Sequence, residues 1–284
     1  MIFKNAMSFK SKIKEIAIEK GISTQQVQQN YLIEAFLIKL SKSSYRNNFI
    51  IKGGYLIGGI VGLDNRATMD LDTTVKGFDL TINNLSKIAR LIVKVPTEES
   101  FEFEFEGVEE IRKIDTYPGY RIKMIASFEK IREVVTVDVT SGDAITPKEI
   151  DFNFRMIFSD EKIELLSYPI ETILAEKIET ILSRGVGTTR PRDYYDVYIL
   201  YKLKLDVIHY GVLKDALFNT KGKRQSIFKF SESNDILGAI RNSTFQQQLW
   251  AKYQSQYVYA KELSFDEVLD SFTHLVSEID ILSI

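Results

Sequence analysis

Two carboxylates, Asp70 and Asp72, stand two residues apart in RATMDLD, directly after the glycine-laden run KGGYLIGGIVGLDN at 52–65. In a strand, residues two apart project from one side, so the pair would share a face while Leu71 turned to the opposite layer. Like charges side by side repel, and the simplest relief is a cation between them; paired oxygen-rich side chains suit Mg²⁺. A solvated strand face is the competing reading. Asp138 lies inside the otherwise apolar VVTVDVT, where a carboxylate must meet a partner unless it sits at a strand edge beside the SGD turn. If its strand neighbours TMDLDTTV, Asp70, Asp72 and Asp138 converge, enough to hold two divalent ions, Mg²⁺ or Mn²⁺, for an in-line phosphoryl or nucleotidyl displacement.

Gly53 and Gly54 would open a helix, where backbone N–H groups and the dipole attract phosphate and missing side chains let a triphosphate approach. No GK[ST] follows, so this is not a P-loop. Gly54, Gly58 and Gly62 recur every fourth residue, which also reads as a smooth face for close helix packing. Further on, the helix expected over 169–184 places Lys177 within an apolar arc of Ile170, Ile173, Leu174, Ile178, Ile181 and Leu182. An ammonium there needs an anion, a carboxylate or a bound phosphate, unless it snorkels at the edge of the arc. SRGVGTTRPRDYYD then gathers Arg184, Arg190 and Arg192 around a glycine loop and puts Asp193 and Asp196 in the first turns of another helix. Asp193 suits a helix N-terminus as such. Asp196 shares a face with Val197 and Leu200 and should point inward or into a cleft. The tyrosines at 194, 195, 198 and 201 read as packing rather than base stacking. Lys221, Lys223 and Arg224, in what reads as a loop over 219–224, form a basic patch that is ordinary surface or a grip on a phosphate backbone.

These groups must be positioned by ordinary globular architecture. The 284 residues are 44% hydrophobic, enough for two cores, and 37 basic against 39 acidic residues leave a net charge of -2, so any polyanion must be held locally. With no cysteine and two histidines, thiol nucleophiles, most zinc sites and a Ser-His-Asp triad are excluded or improbable. The charged N-terminal stretch has no apolar leader core and no run of apolar residues suffices to span a bilayer, so a cytoplasmic location and no membrane partner are expected. Ser23 and Gln26 resemble a capping box ahead of a helix over 24–42. NNFIIK reads as a strand, a glycine helix runs to about residue 63, and TMDLDTTV is a strand. A helix over 79–94 and strands at ESFEFEFEGVEEI, 120–128 and 132–140 follow. After Pro147 an extended connector leads into helices. The chain is therefore expected to be α+β, a mixed sheet flanked by helices over 1–160 with an N-terminal helix, followed by a mainly helical domain over 161–284.

The pieces KGG (52–54), RATMDLD (66–72), VDVTSGD (137–143), ILAEKIETILSRG (173–185) and RPRDYYD (190–196), in that order, resemble the AbiEii/AbiGii toxin family of nucleotidyltransferases. The resemblance implies a polymerase-β-like nucleotidyltransferase domain plus a helical domain contributing Lys177 and Asp193 or Asp196 to the cleft. It makes Gly53 and Gly54 the triphosphate turn, with Arg66 and Thr68 counted among the nucleotide-binding residues, and Asp70 and Asp72 the metal ligands, with Asp138 in the third-carboxylate slot of the wider superfamily. Arg184, Arg190, Arg192, Lys221, Lys223 and Arg224 would then hold an RNA acceptor. It further implies a toxin of a toxin–antitoxin or phage abortive-infection pair with a cognate antitoxin encoded nearby, transferring a nucleotide from an NTP, GTP or CTP ahead of the others, most plausibly to the 3′ end of tRNA, as a monomer. The competing readings are transfer to a protein or small molecule, and a non-catalytic binding protein on a decayed scaffold.

Overall fold

The computed structural model describes residues 2–112 and 119–279. By contacts the chain divides into two compact units, one of residues 1–143 and 150–167, the other of 144–149 and 168–284.

The first unit begins with two capped helices. Asn5 caps α1 (Ala6–Lys20), and Ser23 caps α2 (Thr24–Ser41) through the reciprocal Ser23/Gln26 box that the sequence announced. Then come β1 (Phe49–Lys52), the glycine helix α3 (Gly53–Val61), β2 (Leu71–Val75), α4 (Ile82–Val93), β3 (Glu102–Arg112), β4 (Gly119–Phe128), β5 (Ile131–Ser141), β6 (Ile150–Arg155) and β7 (Lys162–Ser167). All seven strands form one sheet in the order β3-β4-β5-β2-β1-β7-β6. It is mixed: β2 runs parallel to β5 and β1 parallel to β7, whereas the other neighbours are antiparallel.

Alternation separates the two faces of this sheet. Leu71, Ile122, Met124, Val135 and Val137 are buried, and register places them on one face with Phe103, whose ring lies 6.4 Å from that of Phe36 in α2. Arg90 of α4 lies over the Phe105 ring at 4.3 Å. Helices α2 and α4 thus cover the apolar face. The opposite face carries the polar residues of β2, β4 and β5.

Two expectations are corrected here. The stretch after Pro147 is not a plain connector: β6 and β7 form a hairpin whose second strand joins β1, because DFNFR and KIELLS each alternate apolar and polar residues. For the same reason 161–167 falls in the first unit, so the division comes at 167/168 rather than 160.

The second unit is helical: α5 (Ile170–Arg184), α6 (Pro191–Lys204), α7 (Tyr210–Arg224), α8 (Ser233–Asn242), α9 (Thr244–Gln256) and α10 (Phe265–Glu278). Pro191 opens α6 at a position where its missing N–H removes no helical bond. Tyr194 and Tyr195 are buried and pack on Phe265 and on Tyr253 and Tyr259 respectively. Residues 219–224, expected as a loop, are the last turns of α7, which ends on a left-handed Gln225 (φ 53°). Among the described residues no helix is long and apolar enough to cross a membrane.

Candidate active site

The sheet register assembles a charged row on the polar face of the first unit. Lys52 is opposite Asp72, Asp72 opposite Asp138, Asp138 opposite Arg121 and Arg121 opposite Glu109. Directly opposed residues share a face, so five adjacent strands present Lys, Asp, Asp, Arg and Glu side by side. Each cation is held by an acid. Lys52 Nζ donates to Asp143 Oδ2 at 2.5 Å and to Thr140 Oγ1 at 2.8 Å. Arg121 Nε and Nη2 donate to the two oxygens of Asp138 at 2.7 and 2.8 Å. That bidentate bond, with the fields of Asp138, Asp70 and Glu109, pushes the guanidinium further above its ordinary range.

Asp70 is exposed and lies just before β2 rather than within it; its backbone N–H turns back to Thr68 Oγ1 at 3.4 Å. Asp72 is half-buried and pressed against the glycine turn. Gly53, the first residue of α3, has φ +67°, and a β-carbon added there would come within 2.9 Å of Asp72 Cβ and Cγ and closer still to Oδ2. Glycine is required twice over, for the left-handed backbone and for the approach of the carboxylate. Lys52, the N-cap residue of α3, gives that helix no side-chain cap.

Arg66 and Thr68, read as nucleotide contacts, are buried to 2% and 7% exposure. Arg66 Nη1 donates to Ala67 O at 2.7 Å, and β-carbons added at Gly54 and Gly58 would meet Arg66 Nη2 at 2.9 Å and Arg66 O at 2.5 Å. Thr68 O accepts from the amide of Asn30 at 2.6 Å. Both residues support α3 from beneath instead of presenting themselves on the polar face. Gly54 and Gly58, two of the three periodic glycines, leave the space into which Arg66 fits.

The Asp70, Asp72 and Asp138 set can be weighed against a divalent cation. Among the described residues no group of three acidic or histidine side chains is close enough to hold a metal as they stand, and Asp138 gives both oxygens to Arg121. Mg²⁺ is commonly held by one or two carboxylates together with substrate phosphates. Asp70 and Asp72 fit that arrangement, a cation shared with a triphosphate, better than a closed protein cage.

In the second unit, Lys177 meets the anions its position demanded. Nζ lies 2.6 Å from Asp193 Oδ1 and 2.9 Å from Asp196 Oδ2, with side-chain exposures of 13%, 1% and 0%. Arg190 Nε adds a bond to Asp193 Oδ2 at 2.8 Å. Burial alone would lower the Lys177 ammonium, but Asp196 and Asp193 outweigh it and hold its pKa above the ordinary value. Burial alone would raise Asp193, yet Lys177 and Arg190 keep it below the usual carboxylate range. Two basic side chains, Lys177 and Arg190, thus face two carboxylates, Asp193 and Asp196. Gln246, which no sequence signal singled out, pins the glycine loop before α6: its amide donates to Val186 O at 2.7 Å and Thr188 O at 2.8 Å.

The remaining basic residues divide. Arg184 and Arg192 are exposed, and Lys223 is exposed at the end of α7. Lys221 is only half-exposed and stands over the rings of Phe228 and Phe230 at 5.4 and 5.7 Å. Arg224 is committed to α5, bonding Glu176, Glu179 and Thr180.

The first unit thus sets a glycine turn against an aspartate within a charged row on a mixed sheet, and sequence comparison supplies the class and the family. Residues 35–271 match the family described as nucleotidyl transferase AbiEii toxin, type IV toxin–antitoxin system, and the chain belongs to that family. The resemblance read from the motifs is thereby confirmed, as is the α+β nucleotidyltransferase fold. The protein is a nucleotidyltransferase of the type IV toxin–antitoxin kind, which implies an NTP substrate and an antitoxin partner. No curated protein matches it. Among solved structures it is similar to JHP933 from Helicobacter pylori (15% identity, 92% of this chain and 94% of that one, TM-score 0.47). It is also similar to an antigenic nucleotidyltransferase-like protein from Paracoccidioides brasiliensis (18% identity, 73% and 91%, TM-score 0.40).

Proposed function

We propose that the protein transfers a nucleotide from an NTP to the 3′ end of an RNA, tRNA foremost, in a divalent-cation-dependent reaction that releases pyrophosphate, and that it does so in the cytoplasm as a monomer. The observation that carries this reading is the contact of Gly53 with Asp72 inside the charged row. It puts a helix N-terminus suited to phosphate directly beside a carboxylate suited to a phosphate-bound cation.

Asp70 and Asp72 would hold Mg²⁺, or Mn²⁺ in its place, and the ion supplies charge neutralisation at the phosphorus under attack. The chain's own residues do the rest. The open turn at Gly53 and Gly54 receives the β and γ phosphates on backbone N–H groups. Arg66, from beneath, keeps that turn rigid. Lys52, held by Asp143 and Thr140, adds positive charge beside Asp72. In the second unit Asp193 and Asp196 fix the ammonium of Lys177, the lysine to which the resemblance gives a part in transfer. Attack by the acceptor hydroxyl on the α phosphorus forms the new P–O bond as the bond to pyrophosphate breaks, and preorganised charge is the main source of rate.

The test is incubation of the purified protein with each α-labelled NTP in turn, with total RNA and total protein as acceptors. Label in the tRNA band with GTP or CTP is expected. Label on protein would move the acceptor to another class, and label on neither would remove the transferase reading.

A further inference from the structure

Asp138 stands where a third metal-binding carboxylate was expected, yet the row gives it different work. Both its oxygens are taken by Arg121, and a dication there would face a part-buried guanidinium across the same carboxylate. The arginine is presented as well as held. Its side chain is 35% exposed, and among the described residues Asp138 is its hydrogen-bond partner, so Nη1 and the outer N–H of Nη2 point away from the pair. A guanidinium fixed along one edge, with its other edge open, recognises phosphate.

Position says which phosphate. Across the sheet, β1 with the glycine turn lies one strand from Asp72, about 5 Å, and Arg121 lies two strands away on the other side, about 10 Å. In an in-line displacement the nucleophile approaches opposite the leaving group. With pyrophosphate departing on the glycine side, the acceptor lies on the side of Arg121. We propose that Arg121 binds a backbone phosphate of a nucleic-acid acceptor and that Asp138 is its positioning residue, not a ligand of the catalytic cation. Glu109 is paired with Lys123 at 2.7 Å, but Asp70 and Asp138 together outweigh Arg121 and leave this corner negative by itself, so acceptor binding there requires a divalent cation on Asp70 and Asp72.

This proposal rests on the nucleotidyl-transfer reading and is tested separately from it. Binding of deacylated bulk tRNA to the full-length protein is measured in Ca²⁺ over a range of salt concentrations, with Mn²⁺ binding in the presence of nucleotide followed by electron paramagnetic resonance. Arg121→Met is expected to weaken tRNA binding about tenfold and reduce the salt slope by roughly one, with the KM for NTP unchanged. Arg121→Lys should recover part of the affinity. Asp138→Asn should weaken tRNA binding several-fold while leaving Mn²⁺ binding intact, and the Asp138→Asn/Arg121→Met double variant should be no weaker than Arg121→Met. A tenfold loss of Mn²⁺ binding in Asp138→Asn, an altered NTP KM in Arg121→Met, or an unchanged salt slope each overturns the proposal. If the wild-type protein labels RNA in these cases, the transferase reading stands; if it labels nothing, that reading falls first.

Discussion

Gly53→Ala separates backbone strain from active-site geometry. Gly53 (φ +67°) and Gly21 (φ +65°) have nearly the same left-handed conformation, but an added β-carbon meets nothing within 4 Å at Gly21 and collides with Asp72 at Gly53. A left-handed alanine costs roughly 1–2 kcal/mol. For a domain of this size each kcal/mol lowers the melting temperature by about 2–4 °C. Gly21→Ala should therefore lose about 2–8 °C with nucleotide transfer unaffected. Gly53→Ala should lose at least as much, and its transfer rate should fall by about 10²-fold, the scale associated with displacing a reacting group by an ångström. Circular-dichroism melts and transfer of labelled NTP read both effects. Full transfer activity in Gly53→Ala, with a melt matching Gly21→Ala, would refute the assignment of this turn and of Asp72 together.

Lys177→Met should be destabilising, by about 3–5 kcal/mol in urea titration, because it removes the ammonium that faces two buried carboxylates, and Lys177→Arg should recover part of this. Glu34 is buried in α2 with its carboxyl pushed up to about 8, mainly by burial, although Ile157 N–H donates to it. A raised carboxyl stabilises the fold relative to the unfolded chain below pH 4.5 and loses that contribution as pH climbs to 8. The melting temperature should thus fall between pH 5 and pH 8, equivalent to roughly 3–5 kcal/mol, and Glu34→Gln should flatten the profile. Asp193 works the other way: its depressed carboxyl contributes above about pH 4 and is lost only in stronger acid. Arg224→Ala should lower stability by about 1 kcal/mol and leave the salt slope of RNA binding unchanged, since its side chain is committed to Glu176 and Glu179.

What the sequence disclosed was what depends on local periodicity. A lysine in an apolar helical arc and an aspartate on the inner face of the next helix are each anomalous alone, and Lys177 and Asp196 explain one another. Asp138 inside a valine strand was likewise visible, and its strand does neighbour β2. Its partner was not, because opposing Arg121 to Asp138 is a matter of register between segments far apart in the chain. In YRIKMIASF the arginine simply looks like the solvent side of an alternating strand. Lys52 was hidden by its neighbours, being read as the end of a strand before the glycines. Arg66 was legible as a residue of interest but not as a buried support, since nothing local says that Gly54 and Gly58 leave room for it. The alternation of Phe152 and Phe154 and of Ile163 and Leu165 signals the hairpin of β6 and β7, but Pro147 just ahead of it masks that signal as a connector.

The proposed nucleotidyl transfer depends on the carboxylate beside the glycine turn. Asp72→Asn changes one oxygen to nitrogen in a half-buried side chain, so fold and melting temperature should be preserved. With α-labelled NTP and total RNA, the wild-type protein should transfer label and Asp72→Asn should transfer essentially none; transfer by Asp72→Asn at the wild-type rate would contradict the account.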